Sequence, residues 1–261
     1  MKSKPHVLVT NDDSIESAFL HQLVHALHQD FKVSVAAPAT EQSWIGRAVS
    51  RHSEIKVKRD HRFFADDVEA WSVGGTPTDC VNIALGNLLP ELPDIVVSGI
   101  NVGFNTTETL ILSSGTVAGA IEGALWDLPA IAFSQCVPRE IFLEVSGNHG
   151  KTTGKFAGTL AASAKHAASI AVDTLENPPK AGCVLNVNFP PQADENSKIA
   201  ETFPAKITLG SLYREKRPGV FKFEYSDGVI VETDENSDRT ALERGLISRS
   251  LLDFSKMGKR P

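Results

Sequence analysis

The sequence has 261 residues, with 26 Lys and Arg against 32 Asp and Glu and a formal net charge of −6. That balance excludes a surface that is wholly a basic platform for nucleic acid. With 41% hydrophobic and 22% charged residues, wholesale disorder is excluded too, and the length suits one α/β domain with an appendage or two small domains.

Along the chain, His6 to Thr10 predicts a first strand, and Asn11-Asp12-Asp13-Ser14 supplies helix-capping residues. Phe19, Leu20, Leu23, Val24 and Leu27 then recur at helical spacing, and Lys32 to Ala37 predicts a second strand stopped by Pro38. Strand, helix and strand in this order mark a parallel sheet. Residues 50 to 73 break the pattern and read as hairpins or an edge excursion. Pro77 opens a helix carrying Val81, Ala84, Leu85 and Leu88.

Asp94 to Ile100 predicts a buried strand, Gly115 to Trp126 a helix of small residues, and Ala130 to Phe133 another strand. Thr152 to Leu175 predicts a long Ala-rich helix, and Cys183 to Phe189 a strand that closes the core sheet. The fold class expected is therefore α/β, with a mostly parallel sheet over residues 1–191. Residues 192–261 read as a β-rich extension, with strand-like pieces at Lys206 to Leu212, Val220 to Tyr225 and Val229 to Thr233.

No stretch approaches the roughly 18 apolar residues of a membrane helix. Met1 to Pro5 leads directly into a strand pattern, so neither a membrane partner nor a signal peptide is expected. Cys80, Cys136 and Cys183 show no CxxC spacing and have apolar neighbours, which suits buried thiols in a reducing, cytoplasmic compartment.

In open α/β sheets, ligands bind beyond the carboxyl ends of the strands. Three segments place polar residues there: Asn11 to Ser14, Thr40 to Ser43, and Asn101 to Asn105. Two adjacent carboxylates at a strand end repel each other, and a hard cation such as Mg²⁺ or Mn²⁺ relieves the cost with oxygen ligands. Asp12 and Asp13 with the Ser43 hydroxyl and the Asn101 amide oxygen would make such a site. The alternative is that Asp12 or Asp13 caps the next helix. Ser113-Ser114-Gly115-Thr116 begins the small-residue helix, either as an anion site at a helix N-terminus or as an ordinary cap. GxxxxGK[ST], GxGxxG, HExxH and GxSxG motifs are absent from the sequence.

Val9-Thr10-Asn11-Asp12-Asp13, Ala37-Pro38 with Gln42-Ser43, Gly75 to Val81, Asp94 to Asn105 and Ser114-Gly115-Thr116-Val117 together resemble the SurE (survival protein E) family. Leu185 to Pro190 resembles its closing core strand, and Ser237-Asp238, Gly245 and Ser248 echo its C-terminal pattern. The resemblance implies a Rossmann-like three-layer core with a C-terminal β-hairpin and helix exchanged between subunits, forming a homodimer or homotetramer. It implies a metal-dependent phosphatase whose small-molecule substrate is a nucleoside 5′- or 3′-monophosphate. Its metal ligands match Asp12, Asp13, Ser43 and Asn101, with Asp12 and Asp13 also catalytic, and its phosphate pocket maps onto Asn105, Ser114, Gly115 and Thr116.

Several positions depart from the family pattern: Ser14, Trp44 and Arg47 stand where glycine, glycine and histidine are usual. Thr106 to Thr109 replace an acidic loop, and Ser113 stands where tyrosine is favoured. A non-catalytic nucleotide- or phosphate-binding relative is the second reading, motivated by the bulk of Trp44 and the charge of Arg47, and an unrelated α/β transferase is a third. Trp44, Arg47, Phe104 and Tyr213 are candidates for base or leaving-group contacts, against the plainer reading that each is structural.

Overall fold

The computed structural model describes residues 4–226, 228–231 and 234–256. The strands and helices begin β1 (His6–Thr10), α1 (Ala18–Leu27), β2 (Lys32–Pro38), β3 (Val57–Arg59), β4 (Glu69–Val73) and α2 (Pro77–Ile83). They continue with β5 (Ile95–Val102), α3 (Glu108–Ser113), α4 (Gly115–Leu125), β6 (Ala130–Gln135), α5 (Arg139–Gly147), α6 (Gly154–Glu176) and β7 (Cys183–Phe189). Beyond these come β8 (Ile199–Thr202), β9 (Ile207–Thr208), β10 (Tyr213–Arg217), β11 (Val220–Phe223), β12 (Val229–Ile230), α7 (Asp238–Glu243) and β13 (Ile247–Asp253).

Among the described residues the main sheet has nine strands in the order β3-β4-β2-β1-β5-β6-β7-β13-β8. It is parallel throughout except where β3 meets β4 and β13 meets β7. Alternation along each strand assigns the two faces. Val7, Val9, Ile95, Val97, Ile131 and Phe133 face the cluster that includes α1 and α6. Their neighbours Leu8 and Val96 face α2, and Ala130 and Ala132 face α4. Helices thus cover both faces, giving the three layers expected. On α1, Phe19, Leu20, Leu23 and Leu27 are fully buried, each worth about 1.5–3 kcal/mol of apolar burial.

α4 lies unusually close to the sheet because its sequence is nearly free of bulk. A Cβ placed on Gly123 would sit 2.6 Å from Val96 Cβ, closer than real carbon atoms approach. This close packing brings the start of α4 to the carboxyl ends of β1 and β5. The chain runs outward from β1 through β2 to β4 and returns on the other side of β1 as β5. The β1/β5 boundary is therefore the sheet's switch point, where a crevice opens.

The excursion at 50 to 73 is an edge hairpin of β3 on β4, as its polar alternation predicts. One expectation is corrected: Cys183 to Phe189 does not close the sheet. β13 pairs antiparallel with β7 from Ser248–Asn188 to Asp253–Cys183, and β8 pairs with β13 in turn. The exposed edge of β7 offers unpaired backbone groups, and β13 satisfies them. Two strands from beyond residue 191 thus belong to the main sheet. Shorter pairs, β10 with β11 and β9 with β12, account for the other strand-like pieces. Residues 232 and 233 of the expected Val229 to Thr233 piece, and 257–261 of the extension, lie outside the described residues. No helix among the described residues is long and apolar enough to cross a membrane.

Candidate active site

Asp12 and Asp13 follow β1 at the switch point. Asp12 is 4% exposed. Its Oδ1 accepts a 2.5 Å hydrogen bond from the Thr116 hydroxyl, and its backbone carbonyl accepts one from the Gln42 N–H at 2.8 Å. Asp13 Oδ2 accepts from the Val102 N–H at 2.8 Å. Each carboxylate is thus oriented by a distant segment, Asp12 by the start of α4 and Asp13 by the end of β5. Burial pushes the Asp12 carboxyl up to about 6, against the pull of its Thr116 bonds. Burial, and next the charge of Asp12, hold Asp13 well above the ordinary carboxylate range.

Both contacts are set by the fold. β5 and β6 shift register between Ser98 and Asn101, a bulge of the kind that re-aims side chains at a strand end. The same turn places Asn101 next to the Val102 amide that holds Asp13. The loop after β2 brings Gln42 to Asp12, and Ser43 follows it. The Ser43 hydroxyl donates to Glu41 Oε1 at 2.6 Å, leaving its lone pairs open. Glu41 also adds negative charge near both acids.

Two cavities meet here. One, of about 310 Å³, is lined by Asp12, Ser43, Asn101, Asn105 and Ser114 among others. Its neighbour, of about 500 Å³, is lined by Asp13 and also by Ser43, Val102 and Phe142. The four predicted metal ligands therefore stand around the boundary between the two spaces. They form an all-oxygen donor set with one buried and one half-buried acid, and this suits a hard divalent cation. Among the described residues no group of three or more His, Cys, Asp or Glu gathers as a metal cluster, so any cation site here relies on the hydroxyl and the amide as well.

The predicted phosphate residues divide. Asn105 and Ser114 line the 310 Å³ cavity. Ser114 Oγ also accepts from the Val117 N–H at 3.1 Å, so it is the N-cap of α4. Thr116 is fully buried and its hydroxyl is committed to Asp12. Gly115 packs on the same acid: a Cβ there would lie 2.8 Å from Asp12 Cβ and 2.9 Å from its Oδ2. The positive end of the helix thus acts first on Asp12. Gly115→Ala is expected to displace that carboxylate, lowering kcat/KM about 10–100-fold, as shifts in supporting residues do. Its cost in unfolding free energy should stay near the roughly 1–3 kcal/mol of overpacking. Parallel kinetics and urea melts measure the two.

Asn105 is held on every side. Its N–H donates to Asn188 Oδ1 at 2.7 Å, its side-chain amide to Ser134 Oγ at 2.9 Å, and its carbonyl accepts from Asn186 and Asn188. Next to it, Thr107 donates its N–H to buried Asp238 at 2.7 Å. Asp238 also accepts from the N–H groups of Ala205 and Arg239, while burial raises its carboxyl to about 6. Sequence reasoning assigned no site role to these supports. The signal available was the pair Asn186 and Asn188 at alternate positions of a buried strand, since buried amides need partners.

Arg47 is drawn away from the crevice by an ion pair with buried Glu122, which Asn82 also bonds at 2.8 Å. The four leaving-group candidates thus part company. Arg47 has a structural partner, and Phe104 lines the cavity with the Arg239 guanidinium 5.0 Å from its ring. Trp44 lines the cavity, whereas Tyr213 packs edge-on against Phe223.

A family model, Survival protein SurE, matches residues 7–209. The chain belongs to the SurE family. Among SurE relatives, a 5′-nucleotidase SurE of Methanococcoides burtonii is 31% identical over 93% of this chain and 90% of its own length. One of Methanosarcina barkeri is 32% identical over 94% of this chain and 90% of its own. The crystal structure of the SurE protein from Aquifex aeolicus superposes with a TM-score of 0.76 at 27% identity, covering 96% of this chain and 94% of that one. The mostly parallel α/β sheet is thus the SurE fold.

Proposed function

We propose that this chain hydrolyses nucleoside 5′-monophosphates, and 3′-monophosphates with them, to nucleoside and inorganic phosphate, with Mg²⁺ or Mn²⁺ held by Asp12, Asp13, Ser43 and Asn101. Its relatives are named 5′-nucleotidases, and the chain is accordingly a phosphoric monoester hydrolase. The observation that supports the site assignment is the convergence, at the β1/β5 switch point, of the Asp12 and Asp13 carboxylates, each held by a bond from another segment, with Ser43 and Asn101 on the two adjoining cavities.

A bound divalent cation supplies Lewis acidity toward a phosphoryl oxygen and toward water. The protein supplies the rest. Asn105, fixed by Ser134 and Asn188, and the Ser114 hydroxyl at the start of α4 present donors to the equatorial phosphoryl oxygens. Water attacks phosphorus, its proton passes to the Asp12–Asp13 pair, and the P–O bond to the nucleoside breaks. The departing oxygen takes a proton from solvent. Thr116 and the Val102 N–H keep the two acids oriented through the cycle.

Self-association as a dimer or tetramer is supported by the β10–β11 hairpin, which exposes Tyr213, Val220, Phe221 and Phe223 together, since grouped apolar exposure marks interaction surfaces. A cytoplasmic location is supported by three free cysteines, each with its thiol raised by burial.

The test is a panel of nucleoside monophosphates assayed in Mg²⁺ or Mn²⁺ and again in EDTA. Phosphate release that EDTA abolishes and either cation restores is expected. Turnover indifferent to EDTA would defeat the cation assignment. Thermal stabilisation by AMP without any turnover would establish the second reading, a nucleotide-binding relative.

A further inference from the structure

The 310 Å³ cavity has a second, apolar side. Phe223 and Tyr225, at the end of the β10–β11 hairpin, reach back to the loop after β2 and meet Trp44. Ring centroids lie 5.0 Å apart for Trp44 and Phe223, and 5.8 Å for Trp44 and Tyr225. Tyr213 buttresses Phe223 from the neighbouring strand at 6.1 Å. These rings are not core. Trp44, Phe223 and Tyr225 remain 40%, 40% and 38% exposed, and what they face is a cavity whose other wall carries Asp12, Asn101 and Ser114.

Two further features point to a ligand. Trp44 is held at φ +61, a left-handed conformation that costs a bulky residue of order 1 kcal/mol and marks a functional constraint more often than chance. Trp44 also follows Ser43 directly, so the aromatic wall starts one residue, about 3.8 Å of backbone, from the polar end. A ligand filling this space carries an anion at one end and a flat apolar group at the other, a short spacer apart. The cavity volume lies at the lower end of the roughly 300–1,000 Å³ of small-molecule sites.

We propose that Trp44, Phe223 and Tyr225 form a stacking subsite for the planar aromatic base of the leaving nucleoside, so that the enzyme selects nucleoside monophosphates over phosphate esters of aliphatic alcohols. This rests on the hydrolase reading above and names the specificity determinant of the same site. Stacking is tolerant of base identity because every base has a π-face, so the wall discriminates aromatic from aliphatic leaving groups and not one base from another. Phe223 and Tyr225 come from the hairpin, which gives that exposed element a direct role in substrate choice.

The test compares kcat/KM for AMP with kcat/KM for glycerol 2-phosphate in the cation-loaded full-length enzyme. In Trp44→Ala and in Phe223→Ala the AMP-to-glycerol-phosphate ratio should fall about tenfold, the effect of one lost stacking contact. Trp44→Phe should keep most of the wild-type ratio. In the wild type, AMP should quench indole fluorescence, and Trp44→Phe should remove the quench. A ratio within about twofold of wild type in both alanine variants, where roughly tenfold is expected, would overturn the proposal. An enzyme that turns over neither ester would sink the hydrolase reading instead. The AMP quench, present or absent in the wild type, would then decide the aromatic subsite on its own.

Discussion

Asp12→Asn abolishes nearly all turnover while leaving the fold intact: kcat/KM for AMP falls by about 10³-fold or more, the scale of losing a central charge-stabilising group. The amide keeps an oxygen for the Thr116 hydroxyl, so the 2.5 Å bond that positions the side chain survives. What disappears is the carboxylate's negative charge. Excess Mg²⁺ or Mn²⁺ should recover little of the rate, because the loss lies in the ligand and not in occupancy alone. Circular dichroism beside the assay checks the fold, and wild-type-like turnover in this variant would remove the basis for the whole site. Asp13→Asn should behave similarly, since its Oδ2 can still accept from the Val102 N–H.

The same acids make the cation-free protein unusually sensitive to pH. A carboxyl whose folded pKa exceeds its unfolded value binds its proton more tightly in the native state. Its stabilising contribution is complete below the unfolded pKa and is lost as pH rises through the folded one. For Asp12 that window runs from 3.8 to about 6, and Asp13 extends it upward. At about 1.36 kcal/mol per pH unit, the Asp12 share is about 3 kcal/mol. In EDTA, unfolding free energy should therefore fall as pH rises from 4 to 7, and Asp12→Asn should flatten part of that slope. At pH 7 the inactive variant should then be more stable than the cation-free wild type. Adding Mg²⁺ or Mn²⁺ at a hundred times its Kd should return about 2.7 kcal/mol to the wild type by mass action. Urea melts across pH, with and without cation, measure all three. A wild-type slope identical to that of Asp12→Asn would refute the account.

Several of these features are legible in the chain itself. Val7 to Val9 and Val33 to Val35 declare buried strands by composition, and the helical spacing from Phe19 to Leu27 declares the crossover between them. Their order makes the sheet parallel, and a parallel sheet directs attention to the residues after each strand. The Asp pair, Ser43 and Asn101 all lie in such segments. The small residues of α4 announce close packing, although not that Gly115 and Thr116 would be used on Asp12.

Other features leave no local trace. Arg139–Gly147 forms a helix that its irregular apolar spacing did not predict. β13 shows an ordinary strand pattern, yet nothing in Ile247 to Asp253 names β7 as its partner. Asp238 shows nothing locally of its role, while its three N–H donors come from residues as distant as Thr107. Trp44 and Phe223 lie 179 positions apart in sequence and 5.0 Å apart in space.

By itself, then, the sequence determined the alternation of buried strands and covering helices, and the polar residues that follow the strands, because backbone periodicity and turn chemistry act over a few residues. The tertiary structure alone decided which edge β13 would complete, which acid the start of α4 would serve, and which aromatic rings would gather over the crevice. Those outcomes follow from burial and hydrogen-bond satisfaction between distant segments, and such energies exist only once the chain has closed on itself.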